Sequence, residues 1–175
     1  IKRPEAAYGE ADLPAGLQPY LSATDKIDFQ IDIVRDLADE LYPDNGNLVE
    51  YIQNALAWTK AHIGYDQELA EKIWRGQIDT RAASETVRLK SGTCSECANV
   101  FVALMRSKSV PARFISGFLY GGMYHAWAEV YISGSGWIPV DPQMGAYGVS
   151  NRHIKLFAGV DFPDIGVKLK DISLQ

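Results

Sequence analysis

The sequence predicts an α+β fold, with helices first and an antiparallel sheet after them. Apolar residues recur at three- and four-residue steps from Thr24 to about Lys108, the period of helices packed on one side. After Pro111 the texture turns to short β-rich runs separated by glycine turns. The two textures are segregated along the chain, which points away from alternating βαβ units.

The elements follow in order. Residues 1–24, with Pro4, Pro14 and Pro19, read as an extended arm. Ile27, Ile31, Val34, Leu37 and Leu41 form one helical stripe, ended by the turn residues Tyr42-Pro43-Asp44-Asn45-Gly46. Asn47 with Glu50 resembles a capping box, opening a helix with Leu48, Ile52, Ala55, Trp58 and Ile63 inward. Shorter helices are expected around 67–75 and 80–90. Ser91-Gly92-Thr93 breaks the pattern, and a helix resumes from Cys94 to about Lys108, with Cys94, Ala98, Phe101, Val102 and Met105 at core spacing. Its apolar run Val100–Met105 is expected to lie in an amphipathic segment. Strands are expected over 113–120, 125–132 and 137–141. The tail from Asn151 reads as a closing segment, so 1–175 is expected to be one domain.

Composition narrows the function classes. With 47% hydrophobic and 22% charged residues the chain has the makings of a packed core. A net charge of −5 argues against a nucleic-acid surface, which needs clustered Lys and Arg. No run approaches the roughly 20 apolar residues of a membrane-spanning helix. The two cysteines, three residues apart, supply no disulfide framework, and the compartment (secreted, periplasmic or cytoplasmic) stays open, as does the oligomeric state.

Cys94 is the first candidate for chemistry. A thiol acts as a nucleophile only as thiolate, and a helix N-terminus favours that anion. Its free N–H groups also suit an oxyanion. A buried, inert cysteine is the ordinary alternative. His125, opening a strand beside Tyr124 and Trp127, is the natural base for a thiol. Asp141 closes the next strand, and its place depends on register. Pairing Tyr131 with Trp137 sets Asp141 opposite Trp127, so Asp141 and His125 share a face about 7–8 Å apart at the backbone. A slip of one residue would part them. In triad logic Cys94 attacks a carbonyl, His125 moves the proton and Asp141 orients the imidazole.

The blocks Gly92-Thr93-Cys94-Ser95-Glu96-Cys97-Ala98, Arg106, Val110-Pro111-Ala112-Arg113 and Gly117 resemble the transglutaminase-like core. So do His125-Ala126-Trp127-Ala128-Glu129-Val130-Tyr131 and Trp137-Ile138-Pro139-Val140-Asp141-Pro142, over a core of about 80–145. The resemblance implies a papain-like α+β fold with the cysteine at a helix N-terminus. It also implies that Cys94, His125 and Asp141 are catalytic and that no cofactor or metal is needed.

The expected reaction is attack on an amide through a thioester, most simply peptide or amide hydrolysis by a cysteine protease. Protein-glutamine cross-linking, glycopeptide deamidation and a catalytically silent peptide-binding module stand as alternatives. A redox or zinc role for Cys94-x-x-Cys97 lacks the βαβ context or the further ligands it needs. Cys97 is expected to pack. Tyr124 and Trp127 are the expected substrate-binding side chains, although buried aromatics fill cores more often than clefts. Asp66, Glu68 and Glu71 read as a solvated helix face. The partner is expected to be a peptide or protein.

Overall fold

The computed structural model describes residues 13–75, 77 and 79–162. Most of the expected arm lies outside these residues. Its described end holds a 3-10 helix, Ala15–Leu21, in place of extended chain. Among the described residues five α-helices follow: α1 (Asp32–Leu41), α2 (Leu48–His62), α3 (Gln67–Trp74), α4 (Ala83–Leu89) and α5 (Cys94–Ser107). The strands are β1 (Gly64–Tyr65), β2 (Ser91–Gly92), β3 (Ala112–Leu119), β4 (Met123–Ile132), β5 (Gly136–Asp141), β6 (Ala146–Tyr147) and β7 (His153–Gly159). β1 and β2 form a short parallel pair, and the other five run antiparallel in the order β6-β5-β4-β3-β7. The α+β expectation holds.

α1 starts at Asp32, five residues later than the apolar stripe. Asp28 is the reason: its carboxylate accepts from the Ser84 N–H at 2.9 Å and bonds the Ser84 hydroxyl, tying this loop to the start of α4. Ile27 is still buried, but from the loop, while Ile31 is exposed. At the next helix Asn47 accepts from the Glu50 N–H at 3.1 Å. The Glu50 carboxylate reaches Asn45 instead of closing the box.

α5 is the centre of the molecule. Every residue from Ser95 to Arg106 is buried, so the helix is enclosed on all sides and is not amphipathic. α1, α2 and α4 pack against it, as does one face of the sheet through Ala112, Ala128, Val130 and Val140. Arg106, near its end, is buried and donates to the carbonyls of Ala112 (3.1 and 2.8 Å), Ser22 (2.7 Å) and Val160 (2.6 Å). One guanidinium therefore joins the helix to β3, to the N-terminal segment and to the end of β7. Burial lowers its pKa to about 10.

Tyr131 pairs with Trp137 and Ala128 with Val140, the register that sets Asp141 beside His125. The sheet also coils. β5 and β7 are separated by β4 and β3, yet Asp141 on β5 and His153 on β7 are hydrogen-bonded. β7 and β6 were not legible as strands. β6 has only two residues, and β7 carries exposed Ile154 and Leu156 around a register shift at Ser116/Gly117.

Gly117 sets how closely β7 approaches. A Cβ there would stand 2.0 Å from the Ile154 carbonyl oxygen and 2.9 Å from the Trp127 ring. Backbone cannot yield as a flexible side chain would. We expect Gly117→Ala to cost about 2–3 kcal/mol, a fall in Tm of roughly 5–10 °C. Thermal denaturation followed by circular dichroism checks this, and an unchanged Tm would show that β7 moves freely.

Candidate active site

Cys94 is the first residue of α5, and the turn before it is built tightly. Thr93 caps the helix by accepting from the Ser95 N–H at 3.2 Å. The buried Glu96 carboxylate closes a capping box, taking the Thr93 N–H at 2.8 Å and the Thr93 hydroxyl at 2.6 Å. Its other oxygen accepts from the Arg81 N–H at 2.9 Å. A Cβ at position 92 would lie 2.5 Å from the Glu96 Cβ, so the glycine makes room for this carboxylate. The sequence contains the box as Thr93-x-x-Glu96, a signal that reading by chemistry alone passes over.

Tyr65 lies alongside, because β1 pairs Tyr65 with Gly92. It is 58% exposed, and burial followed by the neighbouring Cys94 and Glu96 charges raises its pKa. Asp66, the next residue, is more than a solvated charge. It caps α3 through the Leu69 N–H (2.9 Å) and binds Arg81 (3.0 Å) and Ser91 (3.1 Å). The Leu69 N–H leads the groups that lower its pKa.

His125 and Asp141 meet as the register requires. His125 Nε2 is 2.7 Å from Asp141 Oδ2, and both side chains are buried. Burial alone would depress the imidazole pKa. Hydrogen bonds to Asp141 and to Cys94, with the charges of both, outweigh it and raise the pKa to about 9. Asp141 is 0% exposed. Burial alone would raise its carboxyl, but bonds from His125, the Met144 N–H (3.0 Å) and His153 hold it below the usual carboxylate range. Cys94 stands outside the His125–Asp141 contact. With Nε2 occupied by Asp141, Nδ1 is the nitrogen left for the thiol.

His153 is the residue that sequence reasoning missed. Its Nε2 lies 3.1 Å from the same Asp141 Oδ2, and its ring packs against His125 (centroids 5.6 Å) and edge-on to Trp127 (5.3 Å). No spacing rule reaches it, since it arrives on β7 by the coiling of the sheet. His125, Asp141 and His153 present ligand atoms within 4.8 Å of one another, donor types that a cation would accept. Both ring nitrogens already stand at hydrogen-bonding distance from one carboxylate oxygen, so a proton on each ring satisfies the group.

The aromatics divide. Trp127 is only 1% exposed, lying under His125 (6.1 Å, stacked) and His153. It packs beneath the imidazoles and is covered by them. Tyr124 has a buried hydroxyl with no hydrogen-bond partner. Burial first, then the Cys94 charge, pushes that phenol well up, and Ser95 sits beside it without completing a bond. Trp137 takes Arg113 over its ring at 4.1 Å. Cys97 is buried, and burial pushes its thiol up to about 12.

The sequence profile of the transglutaminase-like superfamily matches residues 35–142. A candidate cysteine protease from Cytophaga hutchinsonii has the same fold, with a TM-score of 0.74 and 24% identity; the match covers 93% of this chain and 54% of that one. The periplasmic domain of TgpA from Pseudomonas aeruginosa, in a form bound to ethylmercury, matches with a TM-score of 0.59 and 19% identity over 78% of this chain and 52% of that one. An uncharacterized protein of Haemophilus influenzae is 28% identical over 71% of this chain and 39% of its own length. YebA of Bacillus subtilis, also uncharacterized, is 30% identical over 64% of this chain and 17% of its own. The chain thus spans well under half of these sequence relatives and about half of these structures. Among the described residues no helix is long and apolar enough to cross a membrane. With the family profile covering more than half of the sequence, the chain belongs to the transglutaminase-like superfamily.

Proposed function

We propose that this chain is a cysteine-nucleophile acyl-transfer enzyme, with Cys94, His125 and Asp141 as its triad and hydrolysis of a peptide or amide bond as its reaction. The observation that carries this is the buried His125 Nε2–Asp141 Oδ2 bond of 2.7 Å, on an imidazole whose other polar neighbour is the Cys94 side chain. An ionised carboxylate only accepts hydrogen bonds, so Asp141 holds the proton on Nε2 and leaves the Nδ1 lone pair for the thiol.

The steps follow. His125 takes the thiol proton, and Cys94 Sγ bonds to the substrate carbonyl carbon. The Cys94 N–H has no intrahelical acceptor in the first turn of α5 and suits the developing oxyanion. His125 returns its proton to the leaving nitrogen as the C–N bond breaks, which leaves a thioester. Water then adds with His125 as base, and the C–S bond breaks to release the acid. Tyr124, whose buried hydroxyl is unpartnered, and the exposed Tyr65 are the side chains we assign to substrate contact. The candidate cysteine protease of the same fold supports hydrolysis as the second half-reaction.

Three outcomes are expected. Iodoacetamide at neutral pH should modify Cys94 while Cys97, held at about 12, stays unreacted, and His125→Ala should slow the labelling of Cys94. Peptide mass mapping reads both sites, and equal labelling of the two thiols would end the proposal.

In amide-release assays over peptide libraries, His125→Ala should cost about 10⁴-fold, and Asp141→Asn about 10²–10⁴-fold because its amide favours the wrong tautomer. Retained turnover in both would sink the triad.

The third concerns pH. A His pKa raised from 6.5 to about 9 keeps the imidazolium through neutral pH and loses it above that value. The ion pair's contribution to stability is therefore fully present below about 6.5 and lost as pH rises through about 9. The alkaline limb of kcat/KM should fall near pH 9, and a limb near 6.5 in a rate–pH titration would show an imidazole without these partners.

A further inference from the structure

Asp141 receives two imidazoles on one oxygen, and only His125 has a part in the proposed reaction. The carboxylate has no exposed surface. Oδ1 accepts from the Met144 N–H at 3.0 Å. Oδ2 accepts from His125 at 2.7 Å and from His153 at 3.1 Å. The groups facing Asp141 are thus His125 from β4, His153 from β7, the Met144 backbone from the loop after β5, and Cys97 from α5, whose thiol feels its charge. Three donors from three separate segments hold the carboxylate against rotation.

His153 is itself placed with care. Its side chain is 5% exposed. Its Nδ1 lies 3.5 Å from the Ser150 hydroxyl, which accepts from the Arg152 N–H at 3.3 Å and is free to donate its proton to the ring. The His153 N–H bonds the Ser150 carbonyl at 3.1 Å. Ser150 thus favours the tautomer with hydrogen on Nε2, the nitrogen aimed at Asp141. Trp127 supports both rings from below.

We infer that His153 is a positioning residue for the reaction: an Nε2–H donor that fixes Asp141 Oδ2 so that the carboxylate holds His125 with Nδ1 toward Cys94. The inference rests on the cysteine-nucleophile reading and adds a fourth residue to it, on an element outside the family match at 35–142. His153 touches neither substrate nor thiol. Its effect passes through Asp141, so its loss should weaken the thiolate–imidazolium pair without removing it. A glutamine at 153 brings an N–H₂ to nearly the place of Nε2. A phenylalanine keeps the ring against Trp127 and His125 and supplies no donor.

The test is the pH profile of Cys94 alkylation by iodoacetamide, read by peptide mass, in wild type, His125→Ala, His153→Gln and His153→Phe, with Tm measured for each. We expect the acidic limb of His153→Phe to move up by about one pH unit, a tenfold slower reaction on that limb, while His153→Gln stays at the wild-type position. Equal shifts in both variants would make His153 a packing residue and overturn the inference, as would no shift in either. A wild-type profile that EDTA moves to that of His153→Phe would put a cation in the donor's place and likewise overturn it. A wild-type rate indifferent to His125→Ala would remove the nucleophile reading, and this inference with it. A normal Tm in His153→Phe keeps unfolding from imitating the expected result.

Discussion

A carboxylate taken fully out of water must find donors for its oxygens, and the arrangement around Asp141 answers that requirement. The donors come from β4, from β7 and from the turn after β5, so this one charge constrains three separate segments. The His125 contact forms only if β5 holds its register on β4, and the His153 contact only if the sheet coils enough to bring β7 round. Hydrogen bonds to a charged acceptor carry about 1.5–3 kcal/mol each, and leaving one unmade inside the protein costs at least as much. The sheet geometry and the imidazole's tautomer are therefore two consequences of the same buried charge.

The helix side of the site follows a matching logic. α5 is enclosed over nearly its whole length, which only its apolar run Val100–Met105 permits. Its N-terminus meets the sheet near His125, and the Thr93–Glu96 box secures that end. Glu96 is a second buried carboxylate close to the thiol, and a bare charge there would oppose a thiolate. The Thr93 N–H, the Thr93 hydroxyl and the Arg81 N–H take up that charge. Gly92 is needed because the carboxylate's own methylene stands where a Cβ would go.

The legible parts of the molecule were those governed by local pattern. Helical periodicity located α2, α3, α4 and α5 to within a few residues, and period-two texture located β3, β4 and β5. The pairing of Tyr131 with Trp137 was readable because a short Gly/Ser turn leaves few registers, and it carried the His125–Asp141 contact with it. The parts decided by tertiary geometry were not. α1 begins late because Asp28, between the first two residues of the stripe, holds Ser84, a partner on a different helix. β7 pairs through a register shift and exposes Ile154 and Leu156, so its alternation does not announce a strand. His153 depends on that strand and on the coiling of the whole sheet, and could not be placed beside Asp141 from its spacing. Trp127 was placed on the correct strand face, but sequence could not tell whether that face is open or covered.

The two cysteines show why motif and environment must be read together. Cys94 and Cys97 sit one turn apart on α5, share the neighbouring charge of Glu96, and form a C-x-x-C that by spacing alone suits redox chemistry. Both are free thiols. Cys97 lies inside the helix, where burial acts first on its thiol and the negative groups around it act in the same sense, so the thiolate is out of reach near neutral pH. Cys94 lies at the helix end, partly accessible, with the dipole of α5 behind it. The same residue type, displaced by one helical turn, passes from a buried site to a partly accessible one at the helix N-terminus. In the proposed reaction the thiol at the mouth of the buried helix is the nucleophile, and the second thiol packs because it lies one turn inside.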